Sequence, residues 1–254
     1  MKRTLTFLLM LAVVALSQNL KAQTAGDLIK TADKYAEEQF NNQKALETLT
    51  QADKLSPNNW EVTWRLSRTC VDLADHMSGG EQQAKYQQGL DYAEKAVKLA
   101  PDKSVTYIRR AIANGKIALF KGVFSVIGLV NKVKADAEKA IALGNGGSYV
   151  QAVSHYVLGR THLKVCEKAY LVRLPLGLGW GDKDVAEKEL KKAVDLYPNF
   201  RMFYLELAKA YIENDDFGKA RDSLQKLQKS PKANQDDDKY LAESKALMEK
   251  IKNE

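Results

Sequence analysis

The sequence predicts an all-α chain: one right-handed α-solenoid of about five helix pairs, with a Pro/Gly-containing insertion inside the fourth. Three observations carry this. A helix-ending phrase recurs, LTQADKLSPNN, YAEKAVKLAPD, AEKAIALGNGG and LKKAVDLYPNF, with a small residue shortly before Pro57, Pro101, Asn145 or Pro198. Strand-like alternation occurs nowhere, whereas apolar residues repeat at helical spacing. Small residues at Gly159, Ala186, Ala208 and Ala220 sit where two antiparallel helices must approach closely. Self-similarity at this period is the signature of stacked helix pairs.

The first 22 residues stand apart. Lys2 and Arg3 precede an apolar run from Leu5 to Leu16, followed by polar SQNLKAQ. That is the order of a secretory signal peptide, with cleavage expected after Ala22. The run is shorter than the roughly 20 residues that span a bilayer. No cysteine follows it that could carry a lipid. The expectation is therefore export, periplasmic in a bacterium and otherwise secreted, with residues 23–254 forming a single repeat domain. Loss of the leader removes three cations and no acid, taking the net charge from +7 to +4. That mild excess does not point to nucleic acid. With 45% hydrophobic and 28% charged residues, and no Gly/Ser tract, the composition leaves no room for a disordered half.

The units follow in order. Successive unit ends lie 44, 44, 53 and 33 residues apart, from Pro57 to Pro231. The fifth unit reads Tyr204, Leu207, Ala208, Tyr211, Ala220, Leu224, Pro231. The fourth reads His155, Leu158, Gly159, His162, Ala186, Leu190, Pro198, and the first closes with Ala45, Leu49, Pro57. In each, proline stops the second helix. The middle units are about ten residues longer, and the fourth inserts VCEKAYLVRLPLGLGWGDKD between its helices.

This pattern resembles the tetratricopeptide repeat (TPR) over nearly all of residues 23–254. WEVTWRLSRT, LDYAEKAVKLAPD, HYVLGRTHLKV with its apolar insertion, and the PNF-initiated last unit resemble the regulator of microtubule dynamics family over about residues 55–250. The resemblance implies an interaction domain without a known catalytic centre. It does not imply microtubules, which an exported chain would not meet. A looser resemblance is to periplasmic helical-repeat partners of solute-binding proteins, which also interrupt a repeat with a leucine-glycine-proline insertion.

Catalytic and cofactor chemistry finds little support in the residues. The glycine clusters GNGG and GLGWG lack the following Lys-Ser/Thr and the strand that a phosphate cradle requires, and read as turns. His155 and His162 share a helical face without a convergent carboxylate or thiolate, so packing is the better reading than metal. Cys70 and Cys166 fall two units apart, beyond the reach of about 7 Å for a disulfide, and are expected as free, buried thiols. The Asp236–Asp238 run reads as a solvated helix start. No catalytic residue, metal or cofactor is expected, and the chain is read as non-enzymatic.

Binding is expected on the first helices, which line the concave face of such arrays. Aligned on their central small residue, which is Asp33 in the first unit as a departure, they place Lys34, Arg68, Arg160 and Lys209 in one column. Lys116 and Lys164 lie one turn further on. Arg68, Lys116, Arg160, Lys164 and Lys209 are thus the candidate partner-binding residues: a mildly cationic groove for a protein or peptide partner, anionic in character. The alternative is an apolar ligand or lipid inside the solenoid. Residues 103–135 carry seven Lys/Arg and no acid around LFKGVFSVIGLVNKV. They leave a packed amphipathic helix and a peripheral membrane contact both open. LVRLPLGLGW is either a plug under the solenoid or an exposed docking element.

Overall fold

The computed structural model describes residues 23–254; the signal peptide expected at 1–22 lies outside them. Twelve α-helices follow, and no strand occurs among the described residues. Five consecutive pairs stack in order. These are α1 (Ala25–Asp33) with α2 (Asn42–Leu55), α3 (Trp60–Ala74) with α4 (Gly79–Leu99), and α5 (Ser104–Lys121) with α6 (Ile127–Leu143). Then come α7 (Gly147–Cys166) with α9 (Lys183–Leu196), and α10 (Arg201–Glu213) with α11 (Phe217–Lys229). The short α8 (Tyr170–Arg173) sits in the insertion, and α12 (Asp237–Lys250) covers the last pair. The result is a right-handed α-solenoid of TPR type.

Local chemistry starts and stops these helices. Thr24 and Asp27 form a reciprocal capping box on α1, and Asn41, Asn59, Asp182 and Asp216 accept first-turn amides of α2, α3, α9 and α11. Pro57, Pro101, Pro198 and Pro231 each stand two residues beyond a helix end. The third unit replaces proline with Asn145. Its side chain accepts from the Ser104 amide at 2.9 Å and donates to the Asp102 carbonyl at 2.8 Å, tying one turn to the previous one. Gly144 takes the left-handed conformation (φ 63°) that ends α6.

The small residues do bring the helices close. A Cβ on Gly159 would lie 2.8 Å from Leu190 and 2.9 Å from the Ala186 carbonyl; one on Gly89 would lie 2.9 Å from Val71. Much of the extra length of the middle units is helix rather than loop: α4, α5, α6 and α7 run 21, 18, 17 and 20 residues.

The solenoid curls far enough for its ends to meet. Asn42 at the start of α2 donates to Gln235 at 3.3 Å, and His76 lies 3.9 Å from Asp236. Of the three aspartates read as a solvated start, Asp237 is instead fully buried. Its carboxylate accepts the Ala233 and Asn234 amides and holds the turn that makes this seam.

Candidate functional site: the concave groove

First helices α3, α5, α7 and α10, with α12 across from them, enclose a cavity of roughly 1030 Å³. All five candidate cations, Arg68, Lys116, Arg160, Lys164 and Lys209, line it. Each is also paired with an acid, Glu206 serving two of them. Arg68 binds Asp33 at 2.9 Å and Glu37 at 2.5 Å. Lys116 pairs with Asp75, which also accepts from the Tyr86 hydroxyl at 2.6 Å. Arg160 lies 3.5 Å from Glu206, and Lys209 bridges Glu206 at 2.8 Å and Glu243 at 2.9 Å. Lys164 pairs with Glu167 at 2.5 Å. The groove is therefore a mixed-charge lattice rather than a bare row of cations.

This explains the departure at Asp33. α1 runs directly into a π turn, Lys34–Glu38, and together they deliver two carboxylates to α3. Asp33 takes both Arg65 and Arg68. Burial works against the charge of Arg68, but Glu37 and Asp33 outweigh it and hold its pKa above the ordinary arginine value. Burial likewise works against the charge of Lys209, and Glu206 and Glu243 overcome it. Lys34 itself is exposed, outside the cavity lining.

Arg109, on α5, is the residue the column alignment missed. It lines the same cavity, is 8% exposed, and its Nε has no hydrogen-bond partner. Among the described residues no carboxylate forms an ion pair with it, although Arg110 beside it is gripped twice by Asp136, at 2.8 and 2.7 Å. Its guanidinium lies 5.5 Å from the Trp64 ring centre. Desolvation pushes the Arg109 pKa down, with Tyr149 and Asp72 resisting and Arg68 adding to the fall. At the cavity floor, burial pushes the Asp72 carboxyl up while Arg68 and Arg109 pull it back. A signal was present in the sequence: an acid-free run of 33 residues cannot supply counter-ions to its own cations.

The wall is mixed in character: Tyr149, Tyr156 and Tyr240 line it together with Ile112, Val130, Val133, Val153 and Val157. Desolvation raises the phenol pKa of Tyr156 and Tyr240.

Of the other candidates, His155 departs from the expectation: a carboxylate does converge on it, Glu189 at 2.5 Å. His162 is packed, buried with its ring 5.1 Å from that of Trp180. Cys70 is buried and Cys166 half-buried, both free; burial pushes the Cys70 thiol up to about 11. Among the described residues no His/Cys/Asp/Glu group is placed to hold a metal. The insertion is both plug and display: Leu178 is fully buried, while Leu171 is 82% exposed.

The sequence matches the family described as Regulator of microtubule dynamics protein 1-3 over residues 28–252. The chain belongs to that family. No curated protein gives a significant match. Among solved structures, it is similar to a thermophilic TPR protein of Thermus thermophilus, with TM-score 0.64 and 17% identity, covering 88% of this chain and 100% of that one. PilW, a type IV pilus biogenesis factor, gives TM-score 0.56 at 15% identity, covering 89% of this chain and 92% of that one. Pseudomonas aeruginosa pilF gives 0.57 at 12%, covering 89% and 91%. At such identities the likeness establishes the TPR fold alone.

Proposed function

We propose that this chain is a non-catalytic adaptor that holds an anionic peptide segment of a partner protein in its concave groove. One observation carries the reading: Arg109 is a buried guanidinium facing the cavity without a carboxylate of its own. A buried charge is costly unless paired, and a planar guanidinium is matched best by a carboxylate accepting two parallel bonds. An incoming Asp or Glu side chain, or a chain terminus, supplies that partner. Arg68, Lys116, Arg160, Lys164 and Lys209 line the same cavity, and in the complex these cations are shared between their internal acids and the ligand. The seam residues Asn42, His76, Gln235 and Asp236 line the same cavity, which favours an extended segment over a folded domain. The leader supports an exported chain, so the proposal takes from the family its interaction domain and not its filament.

The apolar side chains in the cavity wall favour a second reading, an apolar ligand or lipid. Titration with acidic and charge-neutral peptide pools separates the two. The adaptor reading expects binding of the acidic pool only, weakening as salt rises. It expects Arg109→Lys, which keeps the charge and loses the fork, to bind at least about tenfold more weakly, the scale of one charge-assisted hydrogen bond. Equal binding of both pools, insensitive to salt and to Arg109→Lys, would move the apolar reading ahead.

A further inference from the structure

The insertion between α7 and α9 presents a second surface, which adjoins the groove at Leu119 and Phe120. Its interior is locked by one arginine. Arg173, 8% exposed, donates through Nη1 to the carbonyls of Gly181 at 2.7 Å, Leu178 at 3.1 Å and Gly179 at 3.3 Å. Leu178 drops into a cluster with Ala118, Val130 and Val165, and Trp180 Nε1 donates to Asn131 at 2.9 Å. Gly181 cannot carry a side chain here: a Cβ would meet Val165 at 2.5 Å and Arg173 at 2.8 Å. The loop is thus pinned from within.

What it holds outward is apolar. Leu171 is 82% exposed, Val172 54%, Tyr170 52%, Leu174 48% and Leu176 37%. Lys168 lies over the Phe124 ring at 5.8 Å, joining this loop to the end of α5, where Leu119 and Phe120 are also exposed. Contiguous exposed apolar patches of this kind mark interaction sites.

Charge selects the occupant. Residues 168–181 contain no acid, and neither do residues 103–135. Exposed Lys121, Lys132 and Lys168 lie in these two segments. The flanking acids are all engaged: Glu167 with Lys164, Asp136 with Arg110, and Asp182 with the first amides of α9. Apolar tips with lysines and no free carboxylate match an anionic lipid surface, where aliphatic side chains enter the interface and cations meet headgroups.

We propose that the 168–176 loop, with Leu119, Phe120 and Lys121, is a peripheral docking surface for anionic membranes. The test is co-sedimentation of the full chain with phosphatidylcholine vesicles, with and without phosphatidylglycerol. The proposal expects binding to the mixed vesicles that Leu171→Ser/Val172→Ser weakens at least about tenfold. Lys121→Gln/Lys168→Gln should reduce binding to the level of phosphatidylcholine alone. All these side chains are exposed, so both variants should keep the wild-type Tm and bind acidic peptide as before. Vesicle binding unchanged in Leu171→Ser/Val172→Ser, or equal for the two vesicle types, overturns the proposal. So does a concentration-dependent self-association that this variant abolishes while vesicle binding is absent, which would assign the patch to a second copy of the chain.

Discussion

Arg160 and Arg109 stand on neighbouring first helices and line the same cavity, yet the fold treats them differently. On the α7–α10–α12 side, Glu206 is buried beneath Arg160 and Lys209, with Glu243 beyond, so each charge is answered inside the molecule. On the α5 side, the buried guanidinium of Arg109 forms no ion pair among the described residues; Tyr149, the Trp64 ring and the charge of Asp72, which it shares with Arg68, stand near it. The difference separates charge used for cohesion from charge left for a ligand. The same contrast occurs along α7, where His155 has Glu189 and His162 has an aromatic wall and an unpartnered Nδ1.

Removing the shared acid breaks the comparison most severely. Glu206→Ala should cost about 3 kcal/mol, the lower end for a severed buried pair because Arg160 and Lys209 keep some water. Chemical denaturation should register it as a lowered midpoint with an unchanged slope. Arg160→Met is the milder cut. Glu206 retains Lys209, so the loss should be about 1 kcal/mol or less, and a result as large as that of Glu206→Ala would mean the two cations do not share the acid.

The smallest effect concerns pH. Desolvation, aided by Lys134, holds the folded pKa of His162 below its ordinary value. The unfolded chain therefore binds more protons between that folded value and about 6.5. The contribution of His162 is complete above about pH 6.5 and is lost as pH falls towards the folded value. Melting curves of His162→Leu should show a flatter acid limb than wild type. Identical limbs would mean that His162 is not desolvated.

The solenoid and its five pairs were legible because proline stops, small contact residues and capping side chains act locally and leave a fixed spacing. The five groove cations were legible for the same reason, since helix register sets which residues share a face. Their counter-ions were not. Asp33 serves Arg65 and Arg68 from a different helix pair, and Glu206 serves Arg160 across the α7–α10 contact. Such pairings depend on how units stack. Asp237 was misread because an aspartate triplet looks solvated until the seam at Gln235 and Asp236 closes over it. The insertion remained ambiguous because one apolar string sends Leu178 inward while Leu171, Val172, Leu174 and Leu176 face out.

The central claim is that Arg109 is kept for a ligand and not for the fold, and one variant measured two ways tests it. Arg109→Met preserves apolar volume and removes a desolvated charge that no carboxylate ion-pairs; Asp72 keeps Arg68 and Tyr149 loses a partner, so the stability cost should be about 1 kcal/mol or less. The account predicts a Tm close to that of wild type, together with loss of acidic-peptide binding by about tenfold or more. A lowered Tm with binding intact would make Arg109 a structural residue and contradict it.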